Sequence, residues 1–322
     1  MTTTTLPMPA KNKIAWPSFL WIGAIHLGAL MAFVPAFFSW KALAVAIFMH
    51  WLTGGIGICL CYHRLLTHRS FALRPAWLEY VFTAIGCAAS EGGPVGWVAD
   101  HRKHHAHSDE NPGDVHTPHQ GFLWAHMLWW LTPDGDSTHT PEYLKKYAPD
   151  LARDPVLMWF DRWHFIFPIL SAFTLWMIGG MPFLVWGFFV STVVVLHTTW
   201  LVNSATHVWG YRSHHTRDDS TNLWWVALLT YGEGWHNNHH AYQTSARHGL
   251  DWWEVDMTYL AIKLMSMLGI AHTIKLPKLD RAIKADAVNP DSALDPASGD
   301  LPPAEAVAVE EENELVAART DR

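Results

Sequence analysis

The chain has only three cysteines in 322 residues, Cys59, Cys61 and Cys87, and all lie in apolar stretches. Three thiols build no disulfide framework, and without a C-x-x-C pair they offer no cysteine zinc or iron–sulfur site. They read as small buried hydrophobes. Charge is also sparse, with 16% Asp, Glu, Lys and Arg against 50% hydrophobic residues, an apolar balance for a soluble protein. There is no Gly-rich dinucleotide fingerprint and no repeat of fixed period. The net charge of −7 belongs to the tail: residues from Ala285 on hold ten acids against two bases, which leaves +1 for residues 1–284. Nothing in that balance points to a nucleic-acid partner.

What the chain does have is tryptophan, 20 copies, and histidine, 22 copies, as many as Lys and Arg together. Trp concentrates where hydrocarbon meets water, and a His excess of this size points to metal binding. Four apolar runs, about 16–38, 42–61, 163–179 and 183–202, are long enough to cross a hydrocarbon core of about 30 Å. The Gly-Gly-Met-Pro turn at 179–182 separates the last two. The expected fold is therefore all-α and integral to the membrane, with four transmembrane helices in two hairpins and a helical cap. The first run is too long for a signal-peptide core and reads as an anchor that stays. Shorter apolar pieces, Trp77–Cys87, Phe122–Leu131 and Leu223–Leu229, read as helices lying on the membrane face.

Arg64, Arg69, Arg74, Arg102, Lys103, Lys145, Lys146, Arg153 and Arg162 all lie between the hairpins, whose tips carry only Lys41. The positive-inside rule then places both termini and the central segment in the cytoplasm. The domain reading is a polar segment 1–15, a membrane domain 16–277, and a disordered acidic tail 278–322.

Three histidine clusters stand out: His63 and His68; His101, His104 and His105; and His236, His239 and His240. The second and third share the spacing i, i+3, i+4, which puts three rings on one helical face. The first pair, five apart, would lie about 140° apart on an ideal α-helix, so one member is expected beyond the helix end. Imidazole suits Zn, Cu, Fe or Ni, and eight rings exceed the four a single zinc takes, so two metals are implied. His26 and His50 sit mid-span, where polar groups are costly, and read as helix-to-helix hydrogen-bonding residues. His107, His214 and His215 read as surface or supporting residues. Ligating histidines give their second N–H to an acceptor, for which Asp100, Asp109, Asp114, Glu233 and Asp251 are candidates.

The runs Gly57-Ile-Cys-Leu-Cys-Tyr-His-Arg-Leu-Leu-Thr-His68, Gly96-Trp-Val-Ala-Asp-His-Arg-Lys-His-His105 and Gly232-Glu-Gly-Trp-His-Asn-Asn-His-His240, with Thr199-Trp-Leu-Val-Asn-Ser-Ala-Thr-His207, closely resemble the membrane stearoyl-CoA-type (Δ9) fatty acid desaturases. The resemblance covers about residues 16–275 and is nearest the bacterial and cyanobacterial branch. It implies O₂-dependent desaturation of a fatty acyl group, carried as acyl-CoA or acyl-lipid, at two iron ions. It also implies nine histidine ligands: His63, His68, His101, His104, His105, His207, His236, His239 and His240, with Asn203 reaching one iron through water. By the same resemblance Trp97 and Thr199 shape a bend in the substrate channel, with Trp200 near its entrance.

Two positions depart from the pattern. Glu91 stands where many relatives carry Gln, and a buried carboxylate is either protonated or paired. Gly92 replaces a polar residue that animal relatives use near the CoA portion. Without a cytochrome b5 signature, cysteine set or flavin fingerprint, electrons are expected from a separate ferredoxin or cytochrome b5-like donor. A membrane hydroxylase or ketolase is the alternative enzyme. A His-rich metal transporter is the alternative from another class, but it would place its ligands mid-membrane.

Overall fold

The computed structural model describes residues 14–110, 113–132 and 139–277. Of the expected N-terminal segment only Ile14 and Ala15 fall within these, and the acidic tail from residue 278 lies outside them. The described chain is mostly helical: α1 Trp16–Ala29, α2 Trp40–Thr67, α3 Leu78–Cys87, α4 Pro94–His107, α5 Pro141–Tyr147, α6 Pro149–Ala152, α7 Pro155–Trp163, α8 Ile166–Phe183, α9 Ser191–Ser204, α10 Trp224–Leu229, α11 His236–Ala241 and α12 Met257–Met267. Extended pairing among the described residues is a two-residue antiparallel ribbon, Ala72 with His272 and Leu73 with Ala271, and isolated bridges of Asn222 to Tyr211 and Trp235.

Three helical stretches are long and apolar enough to cross a membrane: Trp16–Phe33, Trp40–Thr67 and Ile166–His207. The third takes in both of the later apolar runs. A straight helix of its 42 residues would be about 63 Å long, twice the hydrocarbon thickness. It is not straight. Gly180 takes φ 63 and ψ −154, a break only glycine accepts without strain, and Pro182 follows. Beyond the break Leu175 returns to within van der Waals reach of Gly187, though on one straight helix they would stand about 18 Å apart.

The second half of α2, Trp51–Thr67, is wound as a π-helix, a form rare in long runs and common at functional sites. Its carboxyl end is held by Arg102 of α4, which donates to the Leu66 and Thr67 carbonyls and to Asp150. Cations are stabilising at such an end because it carries the negative pole of the helix dipole. The amino end of α4 is held in the opposite sense: Asp161 Oδ1 accepts from the Val95 and Gly96 N–H groups, both at 2.9 Å. A Cβ on Gly93 would stand 2.4 Å from that oxygen, so only glycine lets the carboxylate in.

The largest buried cluster joins Leu60, Tyr62, Leu65 and Leu66 of α2 to Val95, Val98 and Ala99 of α4, with Leu151 and Leu157 beneath. Each fully buried Leu contributes about 1.5–3 kcal/mol. That packing sets His63 and His68 beside the histidine face of α4.

Candidate metal centre

His63 and His68 are brought together by the π winding. The His68 N–H donates to the His63 carbonyl five residues back, at 3.2 Å, so the two rings meet edge to face one turn apart, with centroids 4.8 Å apart. His68 is the residue after the helix end, as expected. An ideal α-helix would have splayed the pair, and nothing in the spacing of two histidines shows the winding.

The ring nitrogens of His63, His68, His101, His105 and His239 all lie within 4.8 Å of one another. Those of His104, His207, His236 and His240 do the same in a second group. The nine sequence-marked histidines thus divide five and four. Two helices serve both groups: α4 gives His101 and His105 to the first and His104 to the second, while α11 gives His239 to the first and His236 and His240 to the second. His207 enters from the turn that follows α9.

In the first group Nε2 of His239 lies 3.1 Å from that of His63 and 3.0 Å from that of His105, and Nε2 of His105 lies 3.0 Å from that of His101. In the second, Nε2 of His236 and His207 are 3.0 Å apart.

Carboxylates hold the far nitrogens. Nδ1 of His104 pairs with Asp114 at 2.9 Å, Nδ1 of His207 with Asp109 at 2.9 Å and Nδ1 of His240 with Asp218 at 2.7 Å. Nδ1 of His63 lies 2.7 Å from Glu233. A ring that donates through Nδ1 keeps its Nε2 lone pair for a metal. His240 shows the consequence: its Nε2 is buried and has no hydrogen-bond partner, and the same holds for Nε2 of His68. A buried nitrogen without a partner is costly unless a metal takes it. Burial also pushes His101, His105, His236 and His239 well below the ordinary imidazole range and His240 down to about 4, with neighbouring histidines adding to the effect. The rings are therefore neutral, as metal ligands must be. His104 moves the other way, because Asp114 and nearby carboxylates outweigh its burial. The donor set fits two metal ions, and the rings lowered by burial fit as neutral ligands.

Of the five candidate carboxylates, Asp109, Asp114 and Glu233 take the supporting position. Asp100 instead pairs with His139 and Tyr143, and the Asp251 N–H donates to Glu254. Sequence reasoning missed Asp218, and also His248, whose ring lies 4.4 Å from His239 and whose Nδ1 is 3.0 Å from Glu233. It missed His116, with its ring 4.5 Å from His104. Each is remote from the cluster it touches or lacks its spacing, so no local pattern marks it. The two asparagines inside the third cluster had a signal, being conspicuous polar residues between ligand candidates. Both are buried: Asn237 accepts from the Ser213 and His214 N–H groups, and Asn238 donates to the His248 carbonyl and to Glu254.

Arg64, counted above as a topological charge, is not at a surface. It is fully buried and donates to Glu233, Asp256 and the Ala246 carbonyl at 2.8–3.0 Å. Both mid-span histidines make hydrogen bonds between helical elements or to the loop beside them: His26 to His197 at 3.2 Å, and His50 to the Tyr231 hydroxyl at 2.6 Å. His107 pairs with exposed Glu110.

A cavity of about 460 Å³ adjoins the first group, with His101 in its wall. Glu91, Trp97, Thr199, Trp200 and Asn203 line it, together with Trp21, Ile22, Trp130 and Leu196. Glu91 accepts from Thr199 Oγ1 at 2.7 Å and from Trp97 Nε1 at 3.1 Å. The Trp97 ring in turn stacks on His101, centroids 5.1 Å apart.

Fold and site together define a helical protein with apolar helices long enough to cross a membrane, two histidine groups that could each hold a metal ion, and a cavity beside one of them. A family profile for fatty acid desaturases matches residues 38–264, and the chain belongs to that family. It is 47% identical over 272 residues to the sn-1 stearoyl-lipid 9-desaturase of Anabaena variabilis, covering 84% of this chain and 98% of the relative. It is 48% identical over 277 residues to the enzyme of the same description from a Synechocystis species, covering 85% of each. It is 44% identical over 260 residues to the acyl-CoA C20 Delta5-desaturase of Anemone leveillei, covering 80% of this chain and 81% of the relative. The chain is a fatty acid desaturase.

Proposed function

We propose that the chain introduces a double bond at Δ9 of a long acyl chain carried on a membrane lipid, using O₂ at two irons. His63, His68, His101, His105 and His239 would hold one iron, and His104, His207, His236 and His240 the other, with Asn203 reaching the centre through water. The observation that carries the reading is the division of nine histidines, seven buried and His101 and His105 half-buried, into two compact groups beside the cavity. When bound, the iron pair supplies the oxidising power for breaking an unactivated C–H bond, which acid–base side chains cannot supply. The overall balance is acyl –CH₂–CH₂– plus O₂, two electrons and two protons, giving –CH=CH– and two waters. The electrons come from an external one-electron donor, a ferredoxin or cytochrome b5-like protein.

The protein's own part is position and exclusion of water. Trp97, Thr199 and Glu91 form one hydrogen-bonded corner of the cavity wall, and its placement relative to His101 sets which methylenes lie nearest the metal. Trp200 and Trp130, also in the lining, stack with centroids 5.7 Å apart.

Charge at the cavity supports a lipid carrier. Its described lining holds Glu91 and Asp100 but no Lys or Arg, whereas the phosphates of CoA are bound by such cations. The relatives named as stearoyl-lipid desaturases agree with this choice.

The break at Gly180 and the return of Leu175 toward Gly187 support four crossings in two hairpins under a helical cap that holds the metal centre. The basic residues that remain outside buried ion pairs support a cytoplasmic metal side and cytoplasmic termini, so the donor docks there.

The test is expression in a desaturase-deficient host with gas chromatography–mass spectrometry of the fatty acids. A new Δ9 monounsaturated acid on membrane lipid is the expected result. A hydroxylated product would move the assignment to the alternative enzyme, and no change in fatty acids would overturn both.

Glu91 gives the cavity a pH dependence. Burial pushes its carboxyl up to about 7, against which the Thr199 and Trp97 hydrogen bonds act only in part. An acid whose pKa rises on folding favours the protonated state. Its contribution to stability is full below the ordinary value of 4.5 and is lost as pH rises through about 7. Wild-type thermal stability is therefore expected to fall between pH 5 and 8 by more than that of Glu91→Gln, by about one pKa-linked step. Parallel melting curves for the two proteins across that range would contradict it.

A further inference from the structure

Three histidines outside the metal groups form one continuous chain. Nδ1 of His26 on α1 bonds the Ile22 carbonyl at 2.8 Å, and its Nε2 meets Nε2 of His197 on α9 at 3.2 Å. Nδ1 of His197 meets Nε2 of His126 at 3.0 Å, and Nδ1 of His126 meets Ser204 Oγ at 3.1 Å. His126 lies in the helical turn Trp124–Leu128. The Ile22 carbonyl at one end takes a proton from His26 Nδ1. At the other end the Ser204 hydroxyl donates to the Trp200 carbonyl at 2.7 Å, so toward His126 its oxygen accepts.

The three elements joined in this way each form part of the cavity wall. Trp21 and Ile22 line it from α1, Leu196, Thr199 and Trp200 from α9, and Trp129 and Trp130 from the segment after His126. The chain runs along the back of Trp200: the rings of His197 and His126 meet it edge-on, with centroids 5.1 and 6.0 Å away. Apolar packing alone gives membrane helices little preference for one another over lipid, whereas hydrogen bonds between them fix a distance. Polar side chains at this depth are expensive and imply a task.

We infer that His26, His197 and His126 are positioning residues that staple these three parts of the wall together, fix Trp200 and thereby set the width of the acyl cavity and the acyl chain it accepts. The inference rests on the reading of this cavity as the acyl site.

His197→Leu removes both links at once, and His197→Gln restores them in kind, since an amide donates through nitrogen and accepts through oxygen. Expected for His197→Leu is a KM for the acyl substrate raised about threefold to tenfold, the range of hydrogen bonds between membrane helices. Metal content should be unchanged, the product profile should shift in acyl length or double-bond position, and His197→Gln should recover wild-type behaviour. Should His197→Leu fail to accumulate, His26→Leu, which severs only the α1 link, carries the same expectation at smaller size. Wild-type KM and products in these variants overturn the staple. Trp200→Ala separates the two levels: if it alters the product profile and the histidine variants do not, the staple fails and the cavity reading stands; if it alters nothing, the cavity reading itself fails.

Discussion

Replacing His239 with alanine is expected to abolish desaturation and to remove metal from the first histidine group. His239 is at the middle of that group, its ring 4.5 Å from His63, 4.6 Å from His68 and 4.8 Å from His105. It is almost wholly buried, so no solvent ligand enters without rearrangement. Loss of an outer partner typically costs about 10–100-fold in metal affinity or activity, and loss of a direct ligand costs more. His104→Ala, in the second group, carries the same expectation. His107→Ala is the control, because His107 sits on the same helix but is exposed against Glu110. Metal analysis of the purified proteins and fatty acid profiles of the expressing cells check this together. An unaltered product yield in His239→Ala would remove the basis of the metal centre.

The second large effect is on stability. Arg64→Leu leaves Glu233 and Asp256 buried without their cation, and breaking a buried pair by removing one partner costs about 3–5 kcal/mol. The damage should not stop at folding. Glu233 also lies against Nδ1 of His63 and of His248, and Arg64, with those histidines, holds its carboxyl well below the usual range despite its burial. Asp256 caps α12 through the Tyr259 N–H and accepts from the His248 N–H. Arg64→Lys is expected to fall between wild type and Leu, since an ammonium keeps the charge but not the fork that spans both carboxylates. Thermal unfolding in detergent, with metal content read in parallel, gives the order. A melting temperature for Arg64→Leu equal to wild type would show that the network does not hold the site.

The apolar runs were legible because span length is a property of consecutive residues, and so were the clusters at i, i+3 and i+4. His63 and His68 show the limit of such reading. Their spacing of five suggested an α-helix end, and the structure answers with a π-helix that keeps both rings on one side. Arg64 shows another limit: a basic residue beside an apolar run looks like a cytoplasmic anchor until its two carboxylates arrive from 169 and 192 residues away. Asp218 was invisible for the same reason, lying 22 residues from the His240 it supports.

The sequence by itself marked apolar runs long enough to span a membrane, eight histidines in three spaced clusters, and a desaturase pattern that added His207, because hydropathy and motif spacing act over a turn or a span of continuous chain. Only the tertiary structure decided that the nine histidines divide five and four, with α4 and α11 each serving both groups. It alone placed four carboxylates against their far nitrogens, and it alone tied His26, His197 and His126 into one line behind Trp200. Those outcomes depend on which distant side chains meet when α2, α4, α9 and α11 pack, and packing is decided by shape and burial that no local stretch contains.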